Sequence, residues 1–146
     1  MCKVAVMGYG TIGSGVVEVL TTNKAVIAER TGEEVEVKYV LDLRDFPGSP
    51  VEKLLVKDYK VIVDDPEVEV VVETMGGVKP AYQFVKECLE NGKNVCTSNK
   101  ELVAAHGPEL LQIARDKNVN FLFEASVGGG IPIIRPLTQC LTADVI

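Results

Sequence analysis

Apolar and polar positions along this chain follow two rhythms. Short unbroken apolar runs, such as Val4-Ala5-Val6-Met7 and Val70-Val71-Val72, alternate with longer stretches in which apolar residues recur every three or four positions. The short β-branched runs predict buried strands and the wider spacing predicts amphipathic helices. Their steady alternation predicts an α/β fold, a doubly wound parallel sheet of Rossmann type with helices on both faces. A first helix is expected over residues 12–28, with Ile12, Val16, Val17 and Leu20 inward and Val26 and Ile27 extending it. A second strand follows over residues 35–43, and Asp45-Phe46-Pro47-Gly48-Ser49-Pro50 reads as a loop. Residues 58–65 fit either state: Val61-Ile62-Val63 favours a strand, whereas Asp58 is placed to cap a short helix.

Further along, the pattern predicts a strand over residues 68–74, a helix over 79–91 stopped by Gly92, and a strand over 94–97. A short helix from Asn99, a separate helix over 108–117 and a strand over 120–124 complete the alternation. The end differs in character. Val127-Gly128-Gly129-Gly130-Ile131-Pro132 is a glycine turn entering a helix expected to reach Leu141, and Pro136 requires that helix to begin near Arg135 or to bend there. Residues 142–146 carry no capping pattern. The chain is therefore expected to comprise a nucleotide-type domain over residues 1–128, then, over 129–146, a hinge and the first helix of a larger second domain that is cut off.

Composition narrows the classes. At 146 residues, 47% hydrophobic and 25% charged, the chain can bury a full core, and a net charge of −6 without a basic stripe disfavours nucleic acid as a partner. No apolar stretch has the length of a membrane span, and Met1-Cys2-Lys3 runs straight into the first strand, so a cytoplasmic protein is expected. Cys2, Cys88, Cys96 and Cys140 form no C-x-x-C pair and read as reduced thiols; His106, the sole histidine, offers little for a Cys–His pair.

The chemistry concentrates where strands end. Gly8-Tyr9-Gly10-Thr11-Ile12-Gly13 follows the first strand and opens the first helix, the context in which G-x-G-x-x-G binds a dinucleotide. Gly8 allows the tight turn, Gly10 the approach of a pyrophosphate, and Gly13 close packing of helix on strand, with the diphosphate on the helix N-terminus. Asp42 is the candidate reader of the ribose hydroxyls of NAD, although it lies 29 residues after Gly13 rather than the usual ~20. Arg44 is instead placed to hold the 2′-phosphate of NADP, so the cofactor choice stays open. Thr74-Met75-Gly76-Gly77 and Thr97-Ser98-Asn99-Lys100 end neighbouring strands at the same edge, where open α/β sheets bind ligands. In Phe123-Glu124-Ala125-Ser126-Val127-Gly128-Gly129-Gly130-Ile131-Pro132, Glu124 reads from the residues alone as a cap beside a glycine hinge, with an oxygen site for a hard cation as the alternative.

Taken together, the glycine turn, Val71-Val72-Glu73-Thr74-Met75-Gly76-Gly77, Thr97-Ser98-Asn99-Lys100 and the segment from Phe123 to Ile134 resemble homoserine dehydrogenase along essentially the whole chain. The resemblance implies an NAD- or NADP-dependent oxidoreductase that interconverts L-homoserine and L-aspartate 4-semialdehyde, in the biosynthesis of threonine, methionine and isoleucine. It implies cofactor contacts at Tyr9, Thr11 and Ile12, and places Lys100 near both nicotinamide and substrate. Glu124 with the carbonyls of Val127, Gly129 and Ile131 would match the family's sodium site, which shifts the reading of that segment from hinge to cation. A second, acid/base lysine and a dimer-forming sheet would lie beyond the chain's end, so the chain alone is expected to be inactive. Another amino-acid-pathway reductase, or a nucleotide-sensing module, are the competing readings.

Overall fold

A computed structural model describes residues 1–140. Six parallel strands form one sheet: β1 (Cys2–Met7), β2 (Val35–Leu41), β3 (Leu55–Val56), β4 (Val68–Glu73), β5 (Asn94–Thr97) and β6 (Phe121–Leu122). Their order, β3-β2-β1-β4-β5-β6, is that of the doubly wound dinucleotide fold, and the chain reverses direction across the sheet between β1 and β4. The helices are α1 (Thr11–Thr22), α2 (Lys24–Thr31), α3 (Lys60–Asp64), α4 (Ala81–Glu90) and α5 (Lys100–Asp116).

The burial of β1 explains its unbroken apolar run. Val4 and Val6 pack with Val17 of α1 on one face, while Ala5 and Met7 pack with Val85, Leu89, Leu102 and Leu110 of α4 and α5 on the other. A strand covered on both faces has no polar side to show, so the period-two alternation disappears. Among the described residues, no helix is long and apolar enough to cross a membrane.

Several expected elements differ in detail. The single helix over 12–28 is two helices, parted at Asn23 (φ −99°, ψ 18°) after Thr21 turns its hydroxyl onto the Val17 carbonyl. The second strand ends at Leu41, one residue before Asp42, whose N–H still donates to the Val56 carbonyl of β3 at 3.3 Å. The ambiguous 58–65 segment is helical over α3, because the Asp58 carboxylate accepts the Lys60 N–H at 2.9 Å. The two helices expected from Asn99 and Pro108 are one. Pro108 sits inside α5, where it withholds one backbone donor, yet the buried line Leu102, Gly107, Leu110 and Ala114 runs past it and holds the helix together.

Gly92 ends α4 as expected, at φ +77° with its N–H on the Leu89 carbonyl. The strand over 120–124 shortens to β6, and Glu124–Ser126 forms a tight turn instead. Beyond the glycine hinge, helical structure begins at Ile134 and continues through a wide turn over Pro136–Cys140, so Pro136 falls within the first helical turn. Leu141 and residues 142–146 lie outside the described residues.

The glycines of α1 make opposite demands. A Cβ on Gly13 would stand 1.8 Å from the Gly8 carbonyl oxygen, whereas one on Gly15 meets nothing within 4 Å. Gly13→Ala is therefore expected to cost about 3 kcal/mol through overpacking. Gly15→Ala is expected to gain about 0.5–1 kcal/mol by relieving helix-interior glycine entropy. Urea unfolding of both variants checks the pair.

Candidate functional site

The site begins where β1 meets its turn. Gly8 takes φ +94° and donates its N–H to the Leu41 carbonyl at 2.8 Å, so the turn is fastened to β2. From the other side, the Thr74 hydroxyl lies 3.1 Å from the Met7 carbonyl and 2.9 Å from that of Gly8. The expected roles of the glycines follow. Gly8 supplies the left-handed turn and Gly13 the contact that only a missing Cβ permits.

Gly10 is the N-cap of α1, and a Cβ there would meet nothing within 4 Å. No side chain caps this helix and its first turn holds no acid. The amides at Thr11, Ile12 and Gly13, the first three of α1, thus have no intrahelical partner by construction, and no carboxylate competes with an anion there. Thr11 and Ile12 are exposed.

A cavity of about 600 Å³ opens beside this turn, lined by Gly8, Gly10, Asp42, Arg44, Thr74, Met75 and Gly76 among others. Asp42 and Arg44 stand together at its rim. Asp42 Oδ2 accepts the Tyr9 N–H at 2.8 Å and Arg44 Nη2 at 2.9 Å; Oδ1 accepts the Arg44 N–H at 2.9 Å and Nε at 3.0 Å. The Arg44 side chain, with burial opposing it and the two backbone donors assisting, holds the Asp42 carboxyl well below the usual aspartate range. Arg44 also lies 5.1 Å from the Phe46 ring, which in turn meets Tyr9 edge-on at 4.9 Å.

The sequence missed the cavity's outer wall. Lys57, Asp58, Tyr59, Pro80 and Phe84 also line it, and the Tyr59 and Phe84 rings stack at 3.8 Å. They come from Lys57 and the 58–65 segment of uncertain type, and from Pro80 and α4 behind it, and no local motif marks them as a ligand wall. Lys57 ties down the rim loop by donating to the Leu43 and Arg44 carbonyls at 3.2 and 2.6 Å.

Met75 and Gly76 line the cavity, but Lys100 does not. Lys100 is exposed at the first position of α5, at the carboxyl end of β5, the next strand along the same edge. Between these points lies Glu73, another residue that sequence reasoning did not single out. It is wholly buried and bonded to Thr97, Met75 and Asn99.

The Glu124 segment does what its residues alone suggested. The Glu124 carboxylate accepts the N–H groups of Ile133, Ile134 and Arg135, capping the helical turn that follows the glycine hinge. Those donors hold its carboxyl below the ordinary glutamate range. Gly128 and Gly129 take φ +74° and +61°, and Ser126 donates its hydroxyl to the Thr97 carbonyl at 2.9 Å, tying the hinge to β5. Among the described residues no group of three or more His, Cys, Asp or Glu side chains could hold a metal ion.

The strand order, the locked glycine turn and the open helix N-terminus define a dinucleotide-binding domain of the Rossmann class. The family model for the homoserine dehydrogenase NAD-binding domain matches residues 8–124. Homoserine dehydrogenases of Bacillus subtilis and Pseudomonas aeruginosa are each 40% identical over 99% of this chain, which corresponds to 34% and 33% of their own lengths. The crystal structure of a homoserine dehydrogenase from Thiobacillus denitrificans superposes with a TM-score of 0.88 at 40% identity, covering 98% of this chain and 34% of that one. The chain belongs to the homoserine dehydrogenase family, in its NAD-binding domain, and spans about a third of the length of the relatives it matches.

Because Asp42 titrates lower folded than unfolded, it contributes stability fully present above the ordinary aspartate pKa of about 4, and lost as the pH falls through the folded value. Arg44→Ala is expected to raise the Asp42 titration towards that ordinary value and to shrink this acid-side loss. Carboxyl-carbon NMR titration of Asp42 in both proteins measures it.

Proposed function

We propose that this chain is the cofactor-binding part of an enzyme that interconverts L-homoserine and L-aspartate 4-semialdehyde, and that it takes NADP(H) in preference to NAD(H). The observation that carries the reading is the uncapped start of α1 behind a turn locked by Gly8 and Gly13, with open space at Gly10. That cradle suits a diphosphate: free amides, a positive helix end and no Cβ in the way.

Preference for the phosphorylated cofactor follows from the rim. All four acceptor positions of Asp42 are taken by Tyr9 and Arg44, which leaves none for a ribose diol. The Arg44 side chain is 63% exposed and retains further N–H donors, with Lys57 tied to its carbonyl, so a 2′-phosphate finds cations where a hydroxyl pair finds an occupied acid.

In this account, the bound cofactor supplies the hydride acceptor for the carbon bearing the homoserine hydroxyl. The chain's residues bind and orient. The amides at Thr11, Ile12 and Gly13 hold the diphosphate, and Thr74, Met75 and Gly76 shape the wall towards the nicotinamide. Lys100 stands at a helix N-terminus, where a cation is unfavourable to the helix dipole. Its role is to meet the substrate's carboxylate or oxygen at that edge. Sodium at Glu124 belongs to the same proposal. Three amides occupy the carboxylate, leaving one acceptor position to act beside the carbonyls of Val127, Gly129 and Ile131. A cytoplasmic setting is also part of it, in keeping with free thiols at Cys2, Cys88, Cys96 and Cys140.

Calorimetric titration with NADPH and NADH tests the reading. NADPH is expected to bind the tighter, and Arg44→Ala to weaken NADPH roughly tenfold or more while sparing NADH. Tighter NADH binding would give the ribose to Asp42, and no binding of either would sink the proposal. Mixed with homoserine and NADP, the chain alone is expected to form no NADPH.

A further inference from the structure

Glu73 is the last residue of β4, at the centre of the sheet's carboxyl edge, and is 0% exposed. Among the described residues no lysine or arginine pairs with it. A buried carboxylate without a counter-ion is unfavourable unless donors meet its oxygens. Here they do. Oε1 accepts the Met75 N–H at 2.7 Å and, at 3.5 Å, Asn99 Nδ2; Oε2 accepts the Thr97 hydroxyl at 2.5 Å.

The network continues on both sides. Thr97 Oγ1 accepts the Asn99 N–H at 2.9 Å. Asn99 Nδ2 donates to the Gly77 carbonyl at 2.6 Å, while its Oδ1 accepts the Leu102 N–H at 3.1 Å and so caps α5. One carboxylate therefore joins two segments. On one side is the Thr74–Gly77 turn, whose Thr74, Met75 and Gly76 line the cavity. On the other is the first turn of α5, which starts at Lys100. An apolar residue at position 73 would leave the Met75 amide and the Thr97 hydroxyl without their acceptor. What position 73 supplies is two acceptor oxygens, one for each segment.

We infer that Glu73 is a positioning residue: it holds the cavity-lining turn at Met75 and the start of α5 at Lys100 in one fixed register. Being wholly buried, it touches neither cofactor nor substrate. Its importance for catalysis rests on the function proposed above, whereas the coupling of the two segments is a property of the chain itself. Cofactor seated against Met75 and Gly76 moves one arm of the network, and the other arm carries that displacement to the helix start. Lys100 is thereby set by the same bond system that shapes the cofactor wall.

Amide NMR of the chain, free and titrated with NADPH, tests this in Glu73→Gln, Thr97→Val and Thr97→Ser. In the native protein NADPH is expected to shift the amides of Met75 and Gly76 together with those of Asn99 and Leu102. In Glu73→Gln and Thr97→Val the Gly10–Gly13 shifts persist, but the response at Asn99 and Leu102 disappears. Without ligand, Leu102 amide exchange accelerates about tenfold, the equivalent of one lost hydrogen bond. Thr97→Ser, which keeps the hydroxyl, restores both. A merely space-filling role would leave Thr97→Val, close to Thr in shape, behaving as native, and that result overturns the inference. If Glu73→Gln does not fold, the Thr97 pair decides. If the native chain fails to bind NADPH, the functional proposal falls, while exchange at Met75 and Leu102 still judges the coupling.

Discussion

The contact between Gly13 and the Gly8 carbonyl is the constraint on which the site depends. The helix α1 can start where it does only because position 13 has no Cβ, since one would overlap that oxygen at 1.8 Å. A Cβ at position 13 would also stand 2.8 Å from the Thr74 hydroxyl, which fastens the turn to β4 through two carbonyls. Helix, turn and two central strands are thereby fixed relative to one another. The first amides of α1 are then presented without a side chain to quench them. A cradle suited to an anion results from packing and backbone geometry, before any charged side chain is involved.

Two carboxylates at the same sheet edge are treated in opposite ways. Asp42 lies at the rim, takes its hydrogen bonds largely from one arginine and is held ionised far into acid. Its partner Arg44 is exposed and keeps donors free for a ligand. Glu73 lies inside, bonded to a backbone amide, a hydroxyl and a carboxamide, and so links the ends of β4 and β5. The rim is suited to choosing between ligands and the interior to holding a register. In the proposed function, the β-strand ends carry recognition and alignment on separate side chains.

How much of this was legible follows from how local each signal is. The strands and the glycine roles could be read because they depend on near neighbours: Val4–Met7 is apolar throughout, and the left-handed turn at Gly8 sits within its own motif. The place of Lys100 in the fold, just after a strand and at the start of a helix, was legible for the same reason. The break at Asn23 was not marked by the apolar spacing, which runs on through Val26 and Ile27. Pro108 was misjudged because a buried line of residues overrides its usual effect. Tyr59, Phe84 and Glu73 were missed because each has a partner more than twenty positions away, as in Thr97 meeting Glu73, and no window along the chain contains both. For Glu124, the neighbouring residues pointed to a cap and the family resemblance pointed to a cation. The cap is visible as three amides on one carboxylate.

A crystal structure of this chain grown with NADPH bears on the whole account. The account predicts density for the diphosphate within hydrogen-bond distance of the Thr11, Ile12 and Gly13 amides, with the nicotinamide end running past Met75 and Gly76 and the ribose phosphate at Arg44. A dinucleotide bound away from the glycine turn, with α1 left bare, would contradict it.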